Sequence, residues 1–232
     1  MAGSSRDGFL IRPITNARHA DFETLMHADG LEQIGCWDMA YRHLTPARVA
    51  RREQWRRKGV SEVEGDRRDA AALIASGKPF GLLAYDGDRP IGFVSVGPRT
   101  GYPRVDASVT TQRVDDVDVW VVPCLFVRRE YRGRRVTTDL LRGALDYAAK
   151  RGAPALEAYP RADSAQRIAP GQAWFGTEAQ FRRAGFRKVR GVRPNLPHGW
   201  APRVTMRATC VPNAPATTKT LSPLLKRSRA AS

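Results

Sequence analysis

The chain has 232 residues, and 39 Lys and Arg against 23 Asp and Glu leave a formal net charge of +16. That length fits one generous domain with an ample core. Three scattered cysteines, Cys36, Cys124 and Cys210, argue against a disulfide framework or a clustered zinc site, and no run is apolar for long enough to form a signal peptide or span a bilayer, so a soluble, cytoplasmic protein is expected.

In chain order, FLIRPIT (Phe9 to Thr15) reads as a first strand, followed by a helix from Asn16 to His27 with Asn16 as its N-cap. CWDMAYRHL, Cys36 to Leu44, has a strand-like or turn-like pattern. Thr45-Pro46 then reads as a cap and first-turn proline opening the basic helix PARVARREQWRRKG, and a short helix is expected over Asp66 to Ser76. Arg51, Arg52, Arg56 and Arg57 repeat at helical spacing and read as a solvated face.

The period changes at GLLAYDGDRPIGFVSVGPR, Gly81 to Arg99, where Asp86-Gly87-Asp88 splits two apolar runs into a hairpin. VDVWVVPCLFV, Val117 to Val127, reads as a buried strand. Its Pro123 cannot donate to a sheet ladder and so implies an edge, a bulge or a parting of neighbours. Val136, Leu140, Leu141, Ala144, Leu145 and Ala148 mark an amphipathic helix closed by Gly152. ALEAYP is the next strand, and strand–helix–strand over Val117 to Tyr159 predicts a right-handed parallel crossover. A short helix at Trp174 to Ala184 and the strands FRKVRGV and RVTMRAT follow. Residues 1–210 are therefore expected to form the domain, and 211–232, rich in Pro, Ala, Thr and Ser, a disordered basic tail.

The segment LFVRREYRGRRVTTDLLRGALDYA, Leu125 to Ala148, joins a buried strand to a helix N-terminus through a basic turn. Such a start offers unpaired N–H groups and a positive dipole end, so it can hold a pyrophosphate. Gly133 lets the backbone approach an anion, and Arg132, Arg134 and Arg135 supply charge.

Here the chain resembles the GCN5-related N-acetyltransferases (GNAT), whose signature after the fourth strand is Gln or Arg, two residues, Gly, one residue, then Gly or Ala. Arg132 starts it, Arg135 replaces the usual glycine and Thr137 the final Gly or Ala. The Gly81–Arg99 hairpin, WFGTEAQFRRAGF, CWDMAYR and the VP-C-LFV strand extend the resemblance over Phe9 to Met206, most narrowly to a bacterial subgroup of undefined substrate. It implies an α/β (α+β) fold, a mixed, mostly antiparallel sheet with a splayed parallel strand pair and flanking helices. It also implies an acetyl-CoA-dependent N-acetyltransferase that needs no metal. Leu125, Phe126 and Val127 would face the acetyl and pantetheine groups, with a backbone N–H polarising the thioester. Arg132, Gly133, Arg134, Arg135, Val136, Thr137 and the adjoining Thr138 would bind the pyrophosphate.

The acceptor would be a primary amine of a small molecule or a protein lysine. An amine of pKa about 10.4 must be made neutral, at a cost of about 4.6 kcal/mol at pH 7, whereas a thiolate of pKa about 8.5 leaves for about 2 kcal/mol. A base is therefore needed more than an acid. The family's usual acid, a tyrosine in the last helix, is Phe181 here. Glu157 and Tyr159 share one strand face and are the catalytic candidates, with Asp116 and Asp118 as alternative bases. Cys124 reads as a small buried residue rather than a nucleophile. A non-catalytic acetyl-CoA sensor and a basic nucleic-acid-binding protein are the rival readings, the latter weakened by the lack of any nucleic-acid motif. A homodimer stays open.

Overall fold

A computed structural model describes residues 8–29, 35–163, 174–196 and 198–211, so the 212–232 part of the expected tail lies outside the described residues. The Asp86-Gly87-Asp88 signal becomes a tight turn between β2 (Gly81–Asp86) and β3 (Arg89–Ser95), with Asp86 opposite Arg89. Gly87 has φ +59°, at the position where a type II′ turn takes glycine. β1 (Leu10–Pro13) pairs antiparallel with the free side of β2, so Pro13 sits on an edge strand, where its missing N–H costs no ladder bond.

The expected Val117–Val127 strand is two pieces, β5 (Trp120–Val122) and β6 (Leu125–Val127), which belong to different sheets. β6 pairs with β3, closing a four-stranded sheet in the order β1-β2-β3-β6. β5 pairs antiparallel with β4 (Gly97–Pro98) and parallel with β7 (Ala155–Ala158), and β9 (Thr205–Thr209) and β8 (Arg187–Arg190) complete the second sheet, β4-β5-β7-β9-β8.

Val94 lies opposite Leu125, but Gly97 lies opposite Val121, so the register slips by one residue between them. Val122 and Pro123 together face Val96, which is a β-bulge at the proline. The parallel pairing of β5 with β7 ends at Val122 opposite Ala158. Past the bulge, β6 leaves β7, and its Leu125 N–H donates to the Trp174 carbonyl at 2.8 Å.

Helices cover both sides. α1 (His19–Met26) sets Phe22, Leu25 and Met26 into a cluster with Trp37, Phe80 and Phe93, where Phe22 meets Phe80 edge-on at 5.2 Å. Its start differs from expectation, because Asn16 opens a 3₁₀ turn and the α-helix begins only at His19, without a side-chain cap. α2 (Thr45–Arg57) has Pro46 in its first turn but starts at Thr45, and α3 (Glu62–Ala75) begins four residues before the expected Asp66. The Ser61 hydroxyl accepts from the Glu64 N–H and so fixes that earlier start. The arginines of α2 are not a plain solvated face: Arg48 and Arg52 pair with Asp66, Arg51 with Asp69, and Arg56 with Glu53 and Glu62.

The short α4 (Pro103–Ala107) lies between β4 and β5. α5 (Val136–Ala149) is the expected amphipathic helix and buries Val136, Leu140, Leu141, Ala144 and Ala148 against the sheets. α6 (Glu178–Arg183) starts later than expected, at a capping box of Thr177 and Gln180. Among the described residues, no helix is long and apolar enough to cross a membrane.

Gly143 of α5 faces Ile11 of β1. A methyl group there would stand 2.6 Å from Ile11 Cγ2. Gly143→Val is therefore expected to destabilise the fold by about 1–3 kcal/mol, read as a lowered urea midpoint with unchanged slope.

Candidate active site

The turn between β6 and α5 is built on Tyr131, whose hydroxyl donates to Asp86 at 2.9 Å and whose ring carries the Arg134 guanidinium at 4.9 Å. Arg132 Nε reaches back to the Val127 carbonyl at 3.2 Å. Gly133 has φ +80°, and Arg135, at the position where the signature has glycine, has φ +66° and ψ 3°. The left-handed geometry therefore survives the replacement of glycine, at a steric cost of about 1–2 kcal/mol for a residue with a Cβ.

With left-handed residues on either side of Arg134, the turn has the alternating backbone of an anion-binding nest. The N–H groups of Gly133, Arg135, Val136 and Thr137 have no acceptor among the described residues, and Arg135 caps the helix with no side-chain bond. Thr138 N–H is already taken by the Arg135 carbonyl at 2.8 Å. Arg132, Gly133, Arg134 and Arg135 are exposed, Val136 is buried, and Thr137 and Thr138 are half-buried. The row of spare donors thus opens to solvent at the positive end of a 14-residue helix.

On β6, Leu125 and Val127 turn their side chains into the core beneath α5, whereas Phe126 turns to the α1 side and stacks on Trp174 at 5.9 Å. The three side chains therefore do not share one face. Ser95 N–H to Cys124 carbonyl and Arg128 N–H to Ile91 carbonyl mark the hydrogen-bonded pairs of the β3–β6 ladder, so by alternation the Leu125 and Val127 amides point to the opposite edge, where the sheets part. Leu125 N–H is occupied by Trp174; Val127 N–H has no acceptor among the described residues.

Glu157 and Tyr159 do come together, with the Tyr159 hydroxyl donating to Glu157 Oε1 at 2.8 Å. Arg99 pairs with the same oxygen at 3.0 Å, Arg207 with Oε2 at 2.6 Å, and Arg99 also donates to the Tyr159 hydroxyl. Both carboxylate oxygens are thus engaged, and Glu157 is 1 % exposed. Burial, with the Glu157 charge beside it, pushes the Tyr159 phenol well above its ordinary value. Asp116 and Asp118 lie on an exposed loop. Phe181 is fully buried, edge-on to Phe186 at 5.2 Å.

A second carboxylate, not singled out in the sequence, stands where the strands part. Asp38 is 3 % exposed with φ +64°, next to Trp37 at φ +44°. Its Oδ2 accepts from Arg42 at 2.9 and 3.1 Å and from Ser95 Oγ at 2.7 Å, while Oδ1 is buried without a partner among the described residues. Arg42 is itself held by the Phe80 carbonyl and the Tyr102 hydroxyl and stacks on both rings. Burial raises the Asp38 pKa, against the opposing pull of Arg42 and Ser95. Asp38 lines an apolar pocket with Met26, Cys36, Phe93, Cys124, Phe126 and Trp174. Burial also raises the Cys36 thiol, and the Cys124 thiol well above the ordinary range, so neither is poised as a thiolate.

The acetyltransferase (GNAT) family model matches residues 37–169. No curated protein matches the sequence. Among solved structures, AAC(6')-Ib in complex with paromomycin and acetyl-CoA superimposes with a TM-score of 0.51 at 13 % identity, over 88 % of this chain and 94 % of that one. Aminoglycoside acetyltransferase AAC(6')-Ib with coenzyme A and kanamycin does so with a TM-score of 0.51 at 12 % identity, over 87 % and 95 %. A ribosomal-protein-alanine N-acetyltransferase from Brucella melitensis is 20 % identical, with a TM-score of 0.44 over 86 % and 99 %. The AAC(6')-Ib likenesses show a common fold.

Two stability measurements check this geometry. Arg135→Gly removes the left-handed steric cost but adds the larger backbone entropy of glycine, for a net gain of about 0.5–1 kcal/mol, whereas Arg135→Ala gives no such gain. Glu157→Ala leaves Arg99, which is fully buried, without its nearest buried counter-charge and is expected to cost about 3 kcal/mol in urea unfolding.

Proposed function

We propose, proceeding from a chain that belongs to the acetyltransferase (GNAT) family, that it moves the acetyl group of acetyl-CoA onto a primary amine of a small molecule or a protein lysine by direct attack on the thioester. The chain is an N-acetyltransferase and acetyl-CoA is its co-substrate. One observation carries the placement of that co-substrate: the four spare amides of Gly133, Arg135, Val136 and Thr137 at the start of α5.

In this reading the amides take the pyrophosphate oxygens, and the exposed guanidinium groups of Arg132, Arg134 and Arg135 add charge that a lysine-poor, arginine-rich turn can direct bidentately. Donors fixed before binding need no reorganisation as the anion arrives. The free edge of β6 offers the Val127 N–H to the pantetheine arm, and the bulge at Pro123 keeps β7 from closing on it.

Glu157 and Tyr159 are assigned a positioning role. With both oxygens of Glu157 engaged, they tie β7 to Arg99 after β4 and to Arg207 on β9, and so brace β7 within its own sheet. The absence of a tyrosine at Phe181 is tolerable because the thiolate departs at a cost of only about 2 kcal/mol.

The test is thermal. Saturating acetyl-CoA is expected to stabilise the protein by about 2.7 kcal/mol at one hundred times its dissociation constant. Gly133→Val puts a β-branched side chain at φ +80° and should abolish that response. A variant that responds like wild type would refute the assignment of the turn.

A further inference from the structure

We propose that Asp38 is the catalytic carboxylate that receives the acceptor's ammonium group and takes its proton, and that the apolar pocket before it selects amines carried on an apolar stem. This rests on the acetyltransferase reading above and deepens it. The first support is the asymmetry of the carboxylate. Oδ2 is held by Arg42 and Ser95 from two directions, which fixes the side chain, while Oδ1 is buried and spare. Buried polar atoms in folded proteins nearly always have partners, so an oxygen that the described residues leave spare is a place for a cationic or N–H donor such as the acceptor's ammonium group.

The second support is position. Asp38 lines the same pocket as Cys124, the residue after the bulge where β6 parts from β7, and as Phe126 of β6. An amine held there lies beside the strand edge that the proposed function gives to the thioester. Among the carboxylates considered, Asp38 alone combines burial, a spare oxygen and this location. Glu157 is saturated by two arginines, and Asp116 and Asp118 face solvent.

The third support is the wall. Met26, Phe93 and Phe126 are wholly apolar, and beside Asp38 the pocket's described side chains offer an acceptor only the thiols of Cys36 and Cys124 and the indole N–H of Trp174. A polyhydroxylated or polycationic acceptor would bury groups that nothing there satisfies, whereas an arylalkyl or alkyl amine would not.

Proton and electron balance is simple. The ammonium gives one proton to Oδ1, and the neutral nitrogen attacks the acetyl carbonyl, forming C–N. The C–S bond breaks, the departing sulfur takes the second nitrogen proton, and Asp38 releases its own to solvent before the next turnover. Burial, which raises the Asp38 pKa, brings the base closer to the amine it must deprotonate. The groups facing Asp38 are Arg42 of its own loop, Ser95 of β3, Tyr102 and the thiols of Cys36 and Cys124. Of these only Arg42 is a cation.

The experiment follows thiol release from acetyl-CoA with 2-phenylethylamine, hexylamine, spermidine and kanamycin, in wild type and Asp38→Asn. The expected result is kcat/KM at least about tenfold higher for the first two amines, set by the apolar stem. At pH 7, Asp38→Asn should lose about 100-fold in kcat/KM, with the deficit shrinking as pH approaches the amine's pKa of about 10, where no base is needed. Its melting response to acetyl-CoA should match wild type.

A variant with wild-type kcat/KM, or with a deficit that pH does not change, would overturn the role of Asp38 while leaving the acetyl-CoA site standing. Preference for kanamycin or spermidine would overturn the apolar selection. Wild type that neither responds to acetyl-CoA nor releases thiol would overturn the underlying reading as well. If Asp38→Asn does not fold, Ser95→Ala decides. It removes a hydrogen bond that lowers the Asp38 pKa, so the acid limb of kcat/KM must move to higher pH, and an unmoved limb rejects the proposal.

Discussion

Proline at position 123 is the constraint on which the rest of the molecule depends. A residue that cannot donate to a ladder, placed mid-strand, forces the backbone to take up one extra residue against Val96. That slip sends the first half of the strand into one sheet and the second half into the other. A continuous ladder would have paired β6 with the chain beyond Ala158 and left β6 no free edge. The break, the free Val127 amide of β6 and the pocket at Cys124 are three views of one local event.

The helix start that follows shows how a left-handed backbone position can be held without glycine. Arg135 takes the left-handed backbone of a glycine, and the donors of the turn remain unspent. What matters to an anion is the dihedral sequence; the side chain at that position is free to add charge, provided the fold supplies the energy to hold it there.

How much of this was legible in the sequence depends on distance along the chain. The β2–β3 turn, the stripe of α5 and the interruption at Pro123 are local signals and sit where the pattern places them. Two of the helix starts that differ from expectation, those of α3 and α6, also have local signals: Ser61 to Glu64 and Thr177 to Gln180 both have the spacing of a capping box. The pairing of Glu157 and Tyr159 on one face was legible, yet their engagement was not, because Arg99 is 58 residues from Glu157 and Arg207 is 50. Asp38 was illegible for the same reason. Its bond to Ser95 spans 57 residues, and only the folded chain shows that one oxygen is braced and the other left over.

Helix α2 has one more consequence. It buries no side chain fully, and α3 meets it through arginine–carboxylate pairs and the packing of Trp55 over Gly65. Much of the overall positive charge on that segment is therefore already spent inside the molecule and does not advertise a polyanion. The attachment of this helix leans on ion pairs where that of α5 is apolar, so a concentrated kosmotropic salt tightens the latter without strengthening the former. Ionic strength thus separates the mechanical fate of two helices in one chain.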